Sequence, residues 1–178
     1  MRKLIVSNMM SLDGYYEGPG KRMSWPCSTT VGRSTRRTKA LTPTTPSGCV
    51  RPTRCYWGVF HTMASRGCWP SVADDPNATP IQREISRLNN TIGKVIISDT
   101  LTAEETEPWH NTRIIGRADA HEQLAELKGR VGRDVLVFGS RMLWSDLLAN
   151  DLLDELHLMI RPVVLGAGTS LFDGQPAV

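Results

Sequence analysis

No acidic residue occurs between Glu17 and Asp74, a stretch that holds two lysines and seven arginines. The formal charge of +3 therefore hides two regions of opposite sign, because residues 74–178 carry 10 basic and 16 acidic residues. The chain also lacks any Cys-x-x-Cys pair, so Cys27, Cys49, Cys55 and Cys68 do not have zinc-site spacing. The His-x-Glu and Pro-Cys-x-x-Cys signature of a zinc deaminase is missing as well. No apolar run nears the roughly 18–20 residues that cross a bilayer. Arg2 and Lys3 precede only Leu4 to Val6 before Ser7 and Asn8 interrupt, which is not a signal-peptide pattern. These absences speak against a membrane partner and lead us to expect a cytoplasmic protein. At 178 residues the chain is long enough for one domain, residues 1–178, with a sizeable core.

Residues 21–68 stand apart from the rest. They are rich in Thr, Arg, Pro and Ser, and their apolar residues follow neither the helical nor the strand period. Pro26, Pro43, Pro46 and Pro52 would interrupt any long helix. Such composition buries too little apolar surface to offset chain entropy. One reading is a basic nucleic-acid-binding insertion, with Trp25, Tyr56 and Trp57 stacking on bases. A metal or disulfide knot is a weaker reading, with only His61 near the cysteines. The favoured reading is a compensated pair of reading-frame shifts in a GC-rich gene, which would replace a helix and a strand and impair folding.

From residue 70 onward the pattern is orderly. Thr79 reads as an N-cap and Pro80 as the first helical residue, with Ile81, Ile85, Leu88 and Ile92 at helical spacing and Gly93 closing the helix. Lys94–Ser98 is a strand of the all-apolar kind found in parallel sheets. A short strand follows at Thr112–Ile115, then a helix from Asp119 to Lys128 with Leu124 and Leu127 inward. The order α-β-β-α-β-α-β argues for a mainly parallel sheet with helices on both faces.

The most informative stretch is Val135-Leu136-Val137-Phe138-Gly139-Ser140-Arg141-Met142-Leu143-Trp144. A glycine at the end of a buried strand lets the backbone approach a ligand closely. The helix behind it presents unpaired N–H groups and the positive end of its dipole. Gly139 and Ser140 are candidates to meet a phosphate. Arg141, Met142 and Leu143 would add N–H donors, although Met142 and Leu143 equally suit core packing and Arg141 a solvated charge. Asp154–Thr169 reads as a long strand ending in a glycine-rich loop at Gly166 and Gly168. His157 alternates with leucines on that strand as a hydrogen-bonded structural residue, and His110 and His121 read as surface groups. No metal-ligand spacing and no nucleophile–base pair is evident.

Together with Leu4–Asn8 and the Ser11-Leu12-Asp13-Gly14 turn, these motifs resemble the dihydrofolate reductase-like family. The nearest branch is the C-terminal reductase domain of the riboflavin-biosynthesis deaminase/reductase and its stand-alone relatives. The resemblance covers about residues 1–20 and 69–174. It implies an α/β, dihydrofolate reductase-like three-layer fold with a mixed, mainly parallel central sheet. It also implies an NADPH-dependent reductase of a small heterocyclic substrate, either an aminouracil ribosyl phosphate or dihydrofolate, and a homodimer. By resemblance Ser98 and Thr100 lie beside the adenosine end of the nucleotide. Asp13 and Gly14 border the nicotinamide and substrate, where the carboxylate would bind a ring donor or position a water for proton delivery. An ordinary turn is the competing reading for both places. The family's phosphate-gripping Gly-Arg-x-Thr turn has no counterpart, since Gly32-Arg33-Ser34-Thr35 follows no apolar strand. Its last, edge-closing strand is also expected to be missing after Gly174. If the basic segment is genuine, the competing class is a non-catalytic nucleotide- or nucleic-acid-binding protein.

Overall fold

The computed structural model describes residues 2–20, 54–58 (backbone), 66–67 and 69–172. Six strands form one sheet in the order β5-β4-β3-β6-β1-β7. They are β1 Leu4–Ser11, β3 Arg54–Gly58, β4 Gly93–Ile97, β5 Thr112–Ile115, β6 Val135–Phe138 and β7 Glu155–Arg161. Every pairing in this sheet is parallel. The antiparallel component of the expected mixed architecture is confined to a separate ribbon, β2 Tyr15–Glu17 with β8 Thr169–Ser170. The described helices are α1 Trp69–Val72, α2 Pro80–Thr91, α3 Ala120–Gly129 and α4 Arg141–Ala149.

Strand alternation assigns the layers. Leu4, Val6, Val135 and Val137 are fully buried in one cluster with Leu124 and Leu127 of α3 and Trp144 and Leu147 of α4. Leu136 and Phe138 belong to the opposite face and pack with Trp109 and with Trp69 of α1. The sheet thus carries packed residues on both faces, as the βαβ order requires.

Several local expectations need correction. Residues 54–58 form β3, between β4 and β6, although their surroundings carry no strand pattern. The run Cys55-Tyr56-Trp57 has strong strand propensity, and ladder partners on both sides complete it. The readings placed on residues 21–53, including Gly32–Thr35 and the basic insertion, lie outside the described residues. Gly93 opens β4 instead of closing α2, which ends at Thr91 and is capped by Ile92, whose N–H donates to Leu88 O at 2.9 Å. Asp119 occupies the N-cap position of α3, yet its backbone is already helical and its carboxylate makes no capping bond. Ile81 and Leu88 are exposed, because α2 docks through Ser86 and Asn90, which donate to the carbonyls of Trp69 and Pro70. The N-cap of α2 is as expected: Thr79 Oγ1 accepts from Gln82 N at 3.3 Å, and Gln82 Oε1 accepts from Thr79 N at 2.7 Å.

At the amino end of the sheet, Asp154 holds β1 in place. Its Oδ2 accepts Leu4 N–H at 2.6 Å and faces Lys128 Nζ at 2.7 Å. Burial pushes this carboxyl up, but hydrogen bonds from Lys128 and Leu4 outweigh it, and the net direction is below the usual range. Such a carboxylate stabilises the fold above its unfolded pKa of about 3.9 and loses that contribution as pH falls. Asp154→Asn is expected to lower the unfolding free energy at pH 7 by about 1–3 kcal/mol. The same variant flattens the acid side of the stability profile, as denaturant titrations between pH 3 and 7 would show. Trp144→Ala, which empties a fully buried site, is expected to cost about 3–5 kcal/mol in the same assay.

Candidate functional site

In a parallel sheet the carboxyl ends of all strands share one edge, and ligands of α/β proteins gather there. The edge is stepped in this protein. The last residue of β6, Phe138, pairs with Ser7, whereas β1 continues to Ser11 beside β7 alone. The chain leaves β6 inside this step through two successive left-handed residues, Gly139 (φ 65°) and Ser140 (φ 51°). Gly139 N–H donates to Ser7 O at 3.2 Å, which ties the turn to β1. A left-handed serine is strained, and such strain concentrates at functional sites. Ser140 is the N-cap of α4: its carbonyl accepts Leu143 N–H at 3.0 Å and Trp144 N–H at 3.1 Å, while its side chain makes no capping bond.

Tyr16 of β2 packs against the core cluster that contains Trp144 and Leu147 of α4. Burial, and then the Glu17 carboxylate, hold its phenol above the ordinary pKa. The start of α4, reached through left-handed Gly139 and Ser140 and without a side-chain cap, is a helix N-terminus of the kind that fits a nucleotide phosphate. Met142 is exposed, whereas Leu143 packs against the core, so the two candidates divide between surface and packing.

The other candidates fall at neighbouring points of the edge. Ser98 is buried at the end of β4, and its Oγ accepts the N–H of Thr100 at 3.1 Å and Leu101 at 3.0 Å. The turn is therefore made by Ser98. Asp99 beside it accepts Arg117 N–H at 2.8 Å. Thr100 is exposed. Only β3 separates β4 from β6, which puts the two loop starts two strand spacings apart, about 10 Å along the edge.

Asp13 is exposed, and both its oxygens face the glycine-rich loop. Leu165 N–H lies 3.1 Å from each, and Gly166 N–H is 2.7 Å from Oδ2. The Ser11 hydroxyl, followed by these N–H groups, lowers its pKa to about 2. This clamp joins the first loop to the loop after β7. Gly14, at φ 85°, continues the junction by accepting Leu171 N–H at 2.9 Å. Gly168 lies so close to the Glu17 carbonyl that a Cβ there would collide with it. His157 pairs with Glu155 at 2.9 Å on the surface, as a structural group would. His110 and His121 are also on the surface and pair with Glu107 and Asp146.

The structure thus gathers Gly139, Ser140 and Arg141 against the ribbon that follows Asp13 and Gly14, and sets Ser98 and Thr100 to one side. Tyr16 is the residue that sequence reasoning missed. Its only signal is its position three residues beyond Asp13 in a short strand.

Comparison with known proteins bears on the same chain. The family model for the RibD C-terminal domain matches residues 2–178. The uncharacterized protein YyaP of Bacillus subtilis (strain 168) is 25% identical over 171 residues, covering 96% of this chain and 80% of that protein. A solved protein from Shewanella sp. PV-4, provisionally described as a riboflavin biosynthesis protein, superimposes with a TM-score of 0.60 at 18% identity. That alignment covers 99% of this chain and 86% of the other, and at this identity it shows the shared fold. Among the described residues no helix is long and apolar enough to cross a membrane. Since the family match runs nearly end to end and the fold agrees with it, this chain belongs to the RibD C-terminal domain family, a reductase-like branch of riboflavin-pathway proteins.

Proposed function

We propose that the protein is an NADPH-dependent reductase of a small heterocyclic substrate. The aminouracil ribosyl phosphate of riboflavin synthesis is favoured over dihydrofolate, because the motifs sit closer to that branch. The observation that carries this reading is the left-handed Gly139–Ser140 turn, tied to Ser7 O, that starts α4 at the carboxyl edge of the sheet with no side-chain cap. Family membership supplies the reductase chemistry.

When bound, the nicotinamide supplies the hydride, so the protein's task is orientation and exclusion of water. The N–H groups of Ser140 and Arg141 would hold the pyrophosphate, aided by the helix dipole and the Ser140 hydroxyl. Gly139 keeps a side chain out of the approach to these groups. Thr100 would face the adenosine end, and Ser98 would shape the loop that carries it. Asp13 would act as a positioning residue: its carboxylate fixes Leu165 and Gly166, so that the glycine-rich loop and Gly14 stand beside the substrate. A homodimer is part of the proposal. An antiparallel two-fold pairing of β7 edges about Leu158 would set Glu155 opposite Arg161, with exposed Met159 and Ile160 flanking.

Ser140→Asp tests the phosphate site. Aspartate tolerates a left-handed backbone, so the fold should survive while the new charge repels phosphate. NADPH titrations followed by tryptophan quenching should show at least about tenfold weaker binding; unchanged affinity contradicts the assignment. The Asp13 clamp is formed above the unfolded carboxylate pKa of about 3.9 and is lost as pH falls toward about 2. Amide exchange at Leu165 and Gly166, corrected for intrinsic rates, should therefore show constant protection from pH 5 to 8, and Asp13→Ala should lower it at least about tenfold. Light scattering should give twice the 19.7 kDa chain mass, and Arg161→Glu should shift it toward one chain.

A further inference from the structure

The crossover from β6 to β7 fixes what lies under the first turn of α4. In the sheet β1 stands between β6 and β7, so α4, which joins those two strands, passes over β1. It starts at the carboxyl edge, where β6 ends, and runs back to the amino end, where β7 begins. Leu4 and Val6 of β1 are buried in one cluster with Trp144 and Leu147, and Met10 packs against it. Strand alternation puts Asn8 between Val6 and Met10 on this α4 face. Asn8 is also the first residue of β1 beyond the last β6 pair, Ser7 with Phe138, and Ser7 O accepts the Gly139 N–H at 3.2 Å. The Asn8 side chain therefore stands in the step, beneath the turn that opens α4. It is 1% exposed. Its Oδ1 accepts Met9 N–H at 2.8 Å, which fixes the orientation of the amide. Its Nδ2 has no hydrogen-bond partner among the described residues. Trp144 Nε1, in the same cluster, is a second buried donor without one.

We propose that Asn8 is a further binding residue for a phosphate-bearing ligand: its Nδ2 donates, from beneath α4, to a phosphate oxygen held at the head of that helix. The proposal rests on the reading of the α4 start as a phosphate site, and adds to it a side-chain donor from a different element. Its physical basis is the surplus of donors in this layer. A buried amide donor without an acceptor is costly. Leucine, of similar size, would fill the position without that cost, as Leu4 and Val6 do further down the same face. Packing alone thus does not account for asparagine here. A phosphate oxygen accepts only and is charged, so it complements both Asn8 Nδ2 and the N–H groups at the uncapped start of α4. The bond would also have a consequence for the rest of the edge. From Asn8, β1 runs on to Ser11 and the Asp13 loop, so the phosphate is tied to the strand that carries the proposed substrate position.

The test is nuclear magnetic resonance of the full chain, with inorganic pyrophosphate and NADPH titrated separately. The Asn8 Nδ2 protons are read in wild type, where no substitution disturbs the fold. Pyrophosphate is expected to shift them together with the Ser140 and Arg141 N–H signals, at one shared midpoint. Asn8→Leu removes the donor without adding charge. It is expected to bind pyrophosphate at least about tenfold more weakly, while its ligand-free thermal unfolding stays cooperative. Should that variant fail to fold, the wild-type resonances decide alone. Asn8 signals that stay still while Ser140 and Arg141 shift overturn this proposal and leave the phosphate reading standing. Unchanged pyrophosphate affinity in folded Asn8→Leu does the same. Pyrophosphate that shifts none of the three overturns the proposal and the phosphate reading together. A shift of all three, with no binding of NADPH, leaves this proposal standing and removes the reductase reading.

Discussion

Everything at the functional edge depends on the left-handed pair Gly139–Ser140. A helix that followed β6 without it would not start at Ser140 with its first N–H groups free of a side-chain cap. The pair turns the chain inside the step left by β1, and Gly139 N–H fixes the turn on Ser7 O at 3.2 Å. Only glycine adopts the first conformation freely, and serine accepts the second at a cost of about 1–2 kcal/mol. That cost is offset by the burial of Trp144 and Leu147 one and two turns further on, which seats α4 against Val135 and Val137. Core packing thus holds a strained turn, and the strained turn presents the donors.

The second element of the edge is the zipped pair of loops after β1 and β7. Asp13 holds Leu165 and Gly166, Gly14 holds Leu171, and Gly168 fits against Glu17 only because it lacks a side chain. These bonds link residues more than 150 positions apart and bring the two motifs nearest the chain ends together over α4. The fold therefore builds its edge from opposite ends of the sequence, with Tyr16 packed against the core cluster that holds α4.

Much of the architecture could be read from residue patterns. The α2 capping box is written in Thr79, Pro80 and Gln82, and β4, β5, β6 and α4 follow their apolar periods closely. These are locally encoded, so sequence suffices. The β3 strand was not readable, because Arg54–Gly58 owes its state to partners on both sides as well as to its own propensity. Asp119 failed as a capping residue because its own backbone is helical, a geometric detail that composition does not carry. At the site, the Gly139–Ser140 turn was visible from strand-then-glycine-then-helix order. The partners of Asp13 were not visible, since a carboxylate's acceptors depend on which distant loop folds beside it. Tyr16 was hidden for the same reason: a single tyrosine in a three-residue strand gives no periodic signal, and its role arises from its meeting with α4.

The central claim is that the amides at the head of α4 are a dinucleotide phosphate seat, and a crystal structure of the full chain grown with excess NADPH tests it most directly. The account predicts a bridging phosphate oxygen on Ser140 N–H and Arg141 N–H. Ordered cofactor elsewhere, with no phosphate on those two N–H groups, would contradict it.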